Sequence, residues 1–333
     1  MILFPMTPEQ KTKVGTPVVP RSKVDPTRSA KQVTAMFRDI EERYLGIKRA
    51  LKALFDQRLT GRERGVNSHN WHFLCHDHGA DMRLYQVNAG KFIYDMSAQE
   101  LADLLEAVQS ILDDYLLDGG EQNLWAMDYV VAEAQRGTLE AFNNLSQQSQ
   151  VYASQTTLQQ LLSSPGHLNQ VAAARLTTFS DWKVISDTAR GDLTNIITDA
   201  VARGVNPRET ASVISKRLDV SMSKAKTVAQ TEQVGALRQA QWNETDWASE
   251  RLGLNTGLLH LSALKPTTRT THAFWHGKVR TVQEVRDWYA VDGNKYHCYC
   301  SQIPVLLNDD GSIFNEGLAD KLAKERKQWP KAA

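Results

Sequence analysis

The chain has little of several features that mark common protein classes. Its three cysteines among 333 residues are too few for a disulfide framework, which favours synthesis in a reducing cytoplasm. Its apolar runs are shorter than a bilayer-spanning helix requires. The N-terminal MILFPM is interrupted by Pro5 and follows no basic residue, so it is not typical of a secretory signal. We therefore expect a soluble, intracellular protein with no membrane partner.

Excess charge of either sign is also missing. Lysine and arginine number 39 against 38 aspartate and glutamate, for a formal net charge of +1. No global field would draw such a chain onto nucleic acid, so any DNA contact has to come from a local patch. The hydrophobic fraction of 41% and charged fraction of 23% are those of a globular protein, long enough for two domains or one domain with extensions.

An extended basic arm is predicted over residues 1–31. Five of the ten prolines lie there, and proline disfavours both helix and sheet. The arm carries six basic residues against two acidic ones. Two interpretations stay open: a disordered tail, or an arm that orders on a partner or on DNA phosphates. For the second, the candidate DNA contacts are Lys11, Lys13, Arg21 and Lys23.

Residues 32–164 are predicted to be a helical N-terminal region, interrupted around 60–95 by short strands or loops. Its first helix has a heptad seam that needs a partner helix, by default from the same chain. Ser97 and Glu100 form a capping box for a second helix. The seam consists of Val33, Phe37, Ile40, Tyr44, Ile47, Leu51 and Leu54.

A second helical region is predicted over 165–253, after the breaker at Ser164-Pro165-Gly166. One helix stops at Gly204, and a short one starts at Pro207. We predict a turn at 219–221, with Ser221 as the cap of a long helix whose small residues suit close packing. An alternative interpretation of residues 210–233 is a DNA-binding helix-turn-helix, which would present Ser223, Lys224 and Lys226 to a groove. Against it, the second helix runs on past the length of a recognition helix, and the turn lacks the glycine often found there.

The character changes at residue 254. Residues 258–264 alternate like a strand, 279–290 suit a short helix, and 295–306 hold another apolar stretch. A compact α+β module is thus predicted over 254–308, before a basic helical tail at 309–333. The predicted fold class is mainly α, as elongated helical hairpins or a bundle, with a small C-terminal α+β module.

An ordered set of motifs over roughly 165–306 resembles the phage Mu F-like head morphogenesis family. The set comprises Gln230-Thr-Glu232 in the long helix, Arg269-Thr-Thr-His272 followed by Gly277, and Cys298-Tyr-Cys300. Gln230 and Tyr299 stand where the family has arginine.

This resemblance implies a structural, non-enzymatic minor head protein of a tailed phage. Such a protein lies in the head interior or near the portal, so portal protein, major capsid protein and phage DNA are the implied partners. The role implied is head morphogenesis, linked to DNA packaging or ejection. The region 1–164 lies outside the resemblance.

Two groups of histidine and cysteine have the chemistry to bind Zn²⁺. The first comprises His272, His276, His297, Cys298 and Cys300. Its preferred ligands are His272, Cys298 and Cys300, whose thiols would lie on one face of a strand. Against a metal, both cysteines could be small buried side chains and the histidine a hydrogen-bonded one. In the second group, His72 and His76 are four residues apart and would share one face of a helix; a surface histidine cluster without metal is the other interpretation. The group comprises His69, His72, Cys75, His76 and His78.

The module also allows a catalytic interpretation. Arg269, His272 and His297 with Glu284 could form a nuclease-like or toxin-like acid/base set. The alternative, which we prefer, is a structural polar set in which Arg269 and His272 hydrogen-bond the turns and pair with Glu232.

Overall fold

The computed structural model describes residues 15–63 and 92–329, and this part of the chain is mainly helical with a small C-terminal sheet. The predicted fold class of a mainly α protein with an α+β module is confirmed. Among the described helices, none combines the length and apolar character that crossing a bilayer requires. The helices are α1 (Ala30–Arg58), α2 (Ala98–Leu116), α3 (Gly120–Asn123), α4 (Met127–Gln148), α5 (Gln150–Gln155), α6 (Leu158–Leu162), α7 (Pro165–Arg203), α8 (Pro207–Leu252), α9 (Thr270–Trp275), α10 (Val282–Ala290) and α11 (Glu316–Gln328). The strands are β1 (Gly61–Glu63), β2 (Phe92–Tyr94), β3 (Thr256–Leu261), β4 (Val279–Arg280) and β5 (Ser301–Leu306).

The chain divides into two compact units. Helices α1, α7 and α8 contribute residues to both. The segment boundaries given above for the sequence stay a prediction. Unit 1 comprises Met1–Arg38, Glu121–Phe179 and Lys226–Ala333, and unit 2 comprises Asp39–Gly120 and Ser180–Ala225.

The seam of α1 is confirmed with a small shift. Met36 and Phe55 are buried where Phe37 and Leu54 were expected, because a straight helix turns every 3.6 residues and drifts from a strict 3.5 repeat. Within unit 2 the hydroxyls of Tyr44 and Ser221 lie 2.7 Å apart. The partner of this part of α1 is therefore in the same chain, as expected.

Local capping signals behaved as predicted in unit 2. The Ser97 side chain accepts from the Glu100 amide, and the Glu100 carboxylate accepts from the Ser97 amide, so the capping box of α2 is confirmed. The same hydrogen bonds lower the pKa of Glu100.

Strands β1 and β2 pair antiparallel.

The predicted turn at 219–221 is wrong, and with it the helix-turn-helix at 210–233. Helix α8 runs through the whole segment without a break. The segment contains neither glycine nor proline, so nothing stops the backbone ladder. The side chains that were expected to cap a new helix form hydrogen bonds with α1 instead. Asp219 accepts from Lys48 at 2.7 Å, and Ser221 bonds Tyr44.

Close packing along α8 is confirmed in unit 1. A Cβ added to Gly137 of α4 would lie 2.3 Å from the Leu237 carbonyl oxygen and 2.9 Å from the Ala240 Cβ. Glycine is therefore required where α4 crosses α8, and the small side chain of Ala240 completes the approach.

The module is built on an antiparallel sheet of order β4-β3-β5. The predicted strand is confirmed, although β3 is buried on both faces rather than one. On one face Leu258 packs with Trp242 of α8 and residues of α10. On the other face Leu259 packs in a cluster with Leu322 of α11. The strand therefore lies in the middle of the core of this part of unit 1.

Residues 15–29 of the predicted arm pack against other parts of unit 1. The Val18 amide donates to the Asn144 side chain at 3.3 Å, and the Lys23 ammonium lies 2.9 Å from the Glu325 carboxylate of α11. This stretch is thus ordered on its own chain. Residues 1–14 lie outside the described residues.

Candidate functional site

His272, Cys298 and Cys300 converge beneath the sheet. His272 lies in α9, and the cysteines immediately precede β5. The Nδ1 atom of His272 lies 3.4 Å from the Sγ atom of each cysteine, and all three donor atoms lie within 4.8 Å of one another. The side chains are only 2%, 4% and 3% exposed. Alternate residues of an extended segment point to one side, which explains why both thiols reach one imidazole.

The second nitrogen of His272 is held by Asn294. Its Nε2 lies 3.2 Å from the Asn294 Oδ1, while the Asn294 Nδ2 donates to the Trp288 carbonyl at 2.9 Å. That second bond assigns Oδ1 as an acceptor, so Nε2 of His272 carries a proton. The other ring nitrogen, Nδ1, faces the two sulfur atoms.

Arg238 of α8 is the cation of this site. Its Nη2 donates to the Cys298 carbonyl at 3.0 Å, to the Cys300 carbonyl at 2.7 Å and to the Cys298 sulfur at 3.1 Å. Its Nε donates to the Cys300 carbonyl at 2.9 Å. The side chain is 2% exposed, so the guanidinium is fully committed to the segment before β5.

The two thiols differ in acidity because their surroundings differ. Burial raises the pKa of Cys298, but the hydrogen bond from Cys300, the Arg238 charge and His272 outweigh it and hold that pKa well below the ordinary value. The hydrogen bond with Cys298, together with burial, raises the pKa of Cys300. Cys298, next to the guanidinium, is therefore the more acidic of the two thiols.

An aromatic and amide shell encloses these groups. The Trp288 ring lies 4.5 Å from the His272 ring, and the Arg238 guanidinium stacks 4.4 Å over Tyr289. Gln302 donates to the Tyr289 hydroxyl at 2.9 Å and to His260 Nδ1 at 3.1 Å. Burial lowers the pKa of His260 to about 3, so this imidazole is neutral at physiological pH.

Arg269, which immediately precedes α9, holds the turn after α10. Its guanidinium donates to the carbonyls of Gly293 at 2.9 Å, Asn294 at 3.1 Å and Tyr296 at 2.8 Å. Because His272 also binds Asn294, Arg269 and His272 act on the same turn. The predicted pairing with Glu232 of α8 stays a prediction.

The nuclease-like set is not assembled in this structure. His297 is exposed, and its Nε2 lies 3.5 Å from the Thr227 hydroxyl. The Glu284 carboxylate accepts from the Thr281 amide in the capping box of α10. His272 is buried and contacts the two sulfurs, so these three side chains occupy three different environments.

Other predicted site residues are distributed as follows. Lys23 is held by Glu325, and Arg21 is exposed. Lys11 and Lys13 lie outside the described residues. The second metal candidate also lies outside them; it comprises His69, His72, Cys75, His76 and His78.

Sequence reasoning missed Arg238. The available signal was its place on the buried stripe of α8, four residues after Val234 and three before Gln241. A charged residue on such a stripe has to find a buried partner. The partners lie 60 residues further along the chain, so they could not be named from α8 alone.

Searches of curated proteins and of solved structures found no significant match. A comparison with family models matched residues 192–303 to the family described as Phage Mu protein F like protein. The match runs from α7 through α8 to β5 and includes every residue of the His272, Cys298, Cys300 and Arg238 site. It supports a part in phage head morphogenesis. The predicted resemblance is confirmed, and residues 192–303 form a phage Mu F-like region.

Proposed function

We propose that this protein is a structural minor head protein of a tailed phage, made in the host cytoplasm and incorporated into the head. It acts in head morphogenesis by binding the portal protein, the major capsid protein or both, in the head interior or near the portal. It catalyses no reaction, and its contribution to DNA packaging or ejection is mechanical.

One observation carries the non-catalytic part of this proposal. His272, Cys298, Cys300 and Arg238 of the family region are buried and bonded within their own fold. A general acid or base has to reach the proton it transfers, directly or through one water. His272 and the two thiols instead face each other, while Arg238 and Arg269 are used on backbone carbonyls.

Head assembly tests the structural role. We expect the full chain, co-expressed with the portal and major capsid proteins of its phage, to co-purify with the assembled heads. Heads assembled without the portal protein separate the two partners, because a portal-bound protein is lost from them and a shell-bound one is retained. Recovery of the chain only in the free fraction, beside normal heads, would reject the proposal.

The nuclease alternative is tested with His297→Asn. Asparagine is chosen because residue 297 has a φ of 51°, a backbone region that asparagine tolerates. Because His297 is exposed, the variant should have the same melting temperature as the wild-type chain. Both proteins should leave DNA and RNA intact. Hydrolysis by the wild-type chain that disappears in His297→Asn would favour the enzyme.

DNA contact by the basic arm is proposed as a secondary activity. Lys23 would have to leave Glu325 to reach a phosphate, whereas Arg21 is exposed. We therefore expect the triple variant Lys11→Ala/Lys13→Ala/Arg21→Ala to reduce the slope of log affinity against log salt by about 3, at about 0.9 per lost phosphate contact. Lys23→Ala alone should change the slope less. Equal slopes for wild type and triple variant would exclude this contact.

A further inference from the structure

The contacts around His272 bring three zinc-ligand groups together. The Nδ1 atom lies 3.4 Å from two sulfur atoms at once. All three donor atoms lie within 4.8 Å of one another and are buried from solvent. A cation bound to Nδ1 and both sulfurs would satisfy all three groups together.

The distances suit one particular coordination geometry. Zn–S bonds of about 2.3 Å and Zn–N bonds of about 2.0–2.1 Å at tetrahedral angles place nitrogen and sulfur about 3.5–3.6 Å apart. The observed separations of 3.4 Å require movements of only tenths of an ångström. Thiolate and imidazole ligands together favour zinc over magnesium or calcium.

Two neighbours already serve the roles that surround a metal ligand. Asn294 accepts the Nε2 proton of His272, which directs the Nδ1 lone pair at the sulfurs as in metal sites generally. The Cys300 amide, at 3.4 Å, and Arg238, at 3.1 Å, both donate to the Cys298 sulfur. Donation of this kind stabilises a thiolate, whether or not it is bound to a metal.

We propose that His272, Cys298 and Cys300 bind one Zn²⁺ ion through Nδ1 and two thiolates. Within residues 15–63 and 92–329, no further histidine, cysteine or carboxylate joins this group. Binding displaces the remaining thiol protons to solvent. This site goes beyond the proposed function and does not depend on it.

Cobalt titration of the full chain tests the site without any variant. The chain is purified under reducing conditions, stripped with a chelator and titrated with Co²⁺. We expect saturation at one equivalent, with sulfur-to-cobalt charge-transfer bands and the intense visible bands of a tetrahedral site. Zn²⁺ should then abolish the bands by displacement. Wild-type chain that shows neither band at one equivalent would overturn the proposal.

Variants locate the ion. Cys298→Ser and Cys300→Ser should each abolish stoichiometric binding, whereas the matched control Cys75→Ser should retain it. Asn294→Ala should retain the bands but weaken affinity about 10- to 100-fold, because it removes only the partner that orients His272. Loss of the bands in Cys75→Ser, with both module variants unaffected, would place the metal elsewhere and reject this site. The readouts use the isolated chain, so their failure would leave the head-assembly proposal standing.

Discussion

Replacing Arg238 with methionine should destabilise the folded chain by about 3–5 kcal/mol, the usual cost of removing one partner of a buried charged pair. Methionine fills a similar volume, so the effect comes from polar groups left behind rather than from a cavity. The carbonyls of Cys298 and Cys300 would lose the donors that lie 2.7–3.0 Å away. The Cys298 sulfur would lose its charged donor, the Arg238 Nη2.

A second arginine on the same helix provides the control. The Arg217 side chain is 40% exposed and lies 2.6 Å from the Asp192 carboxylate. An exposed pair of this kind contributes at most about 1 kcal/mol, so Arg217→Met should lie within that range of the wild type. Both variants lose an arginine from α8, which makes burial the main difference between them.

The free energy of unfolding is measured by urea denaturation in the presence of a chelator, with tryptophan fluorescence as the signal. Arg238→Lys should recover only a minor part of the loss, because an ammonium keeps the charge but cannot bond two carbonyls and a sulfur in one plane. If Arg238→Met and Arg217→Met were equally stable, the guanidinium would not hold the segment before β5 as inferred.

Local signals in the sequence predicted local structure well. The Ser97 capping box was confirmed because its partners lie three residues apart. The seam of α1 was predicted in period and shifted only at Met36 and Phe55. Such features depend on neighbours along the chain, so tertiary contacts alter them little.

Predictions that depended on long-range partners fared differently. The turn at 219–221 was inferred from capping residues whose side chains in fact bond Tyr44 and Lys48. A hydroxyl or carboxylate can satisfy a helix end or a neighbouring helix, and the sequence alone does not distinguish the two.

The site shows the same division. The donor chemistry of the side chains and the family resemblance together selected His272, Cys298 and Cys300. The structure places their donor atoms within 4.8 Å of one another. Neither could supply Arg238, because its role exists only once α8 packs against the segment before β5. Nor could they supply Asn294, whose value lies in the tautomer it imposes on His272.

Acidification should destabilise the module through His260. This imidazole is buried, and burial lowers its pKa to about 3, below the ordinary value of 6.5 that applies when the chain is unfolded. Between these values the unfolded state binds one more proton than the folded state, so stability falls as pH falls. The slope is half its full value of about 1.36 kcal/mol per pH unit at pH 6.5, so the loss between pH 6.5 and 4.5 is about 2 kcal/mol.

Other titratable groups in unit 1 also change the stability of the folded chain in this pH range, and the direction of each change is known. Burial also lowers the pKa of His276, which lies 3.4 Å from Glu325, and this adds to the loss. Burial raises the pKa of Glu244, which bonds the Tyr152 hydroxyl, and this opposes the loss because the folded state then binds the extra proton. A single pH profile therefore does not isolate His260, and a variant is required.

His260→Gln isolates the effect, since glutamine can accept from Gln302 as His260 Nδ1 does but carries no proton in this range. We expect the unfolding free energy of the variant, measured by urea denaturation in the presence of chelator, to fall less steeply by about 1.4 kcal/mol per pH unit between pH 6 and 4.5. His276→Gln should flatten the profile by a smaller amount. An offset at pH 7.5 reports only the packing cost of the substitution, so the comparison is one of slopes. A slope in His260→Gln equal to that of the wild type would show that His260 is protonated in the folded chain and that its enclosure by Trp275 and Trp288 is not maintained in solution.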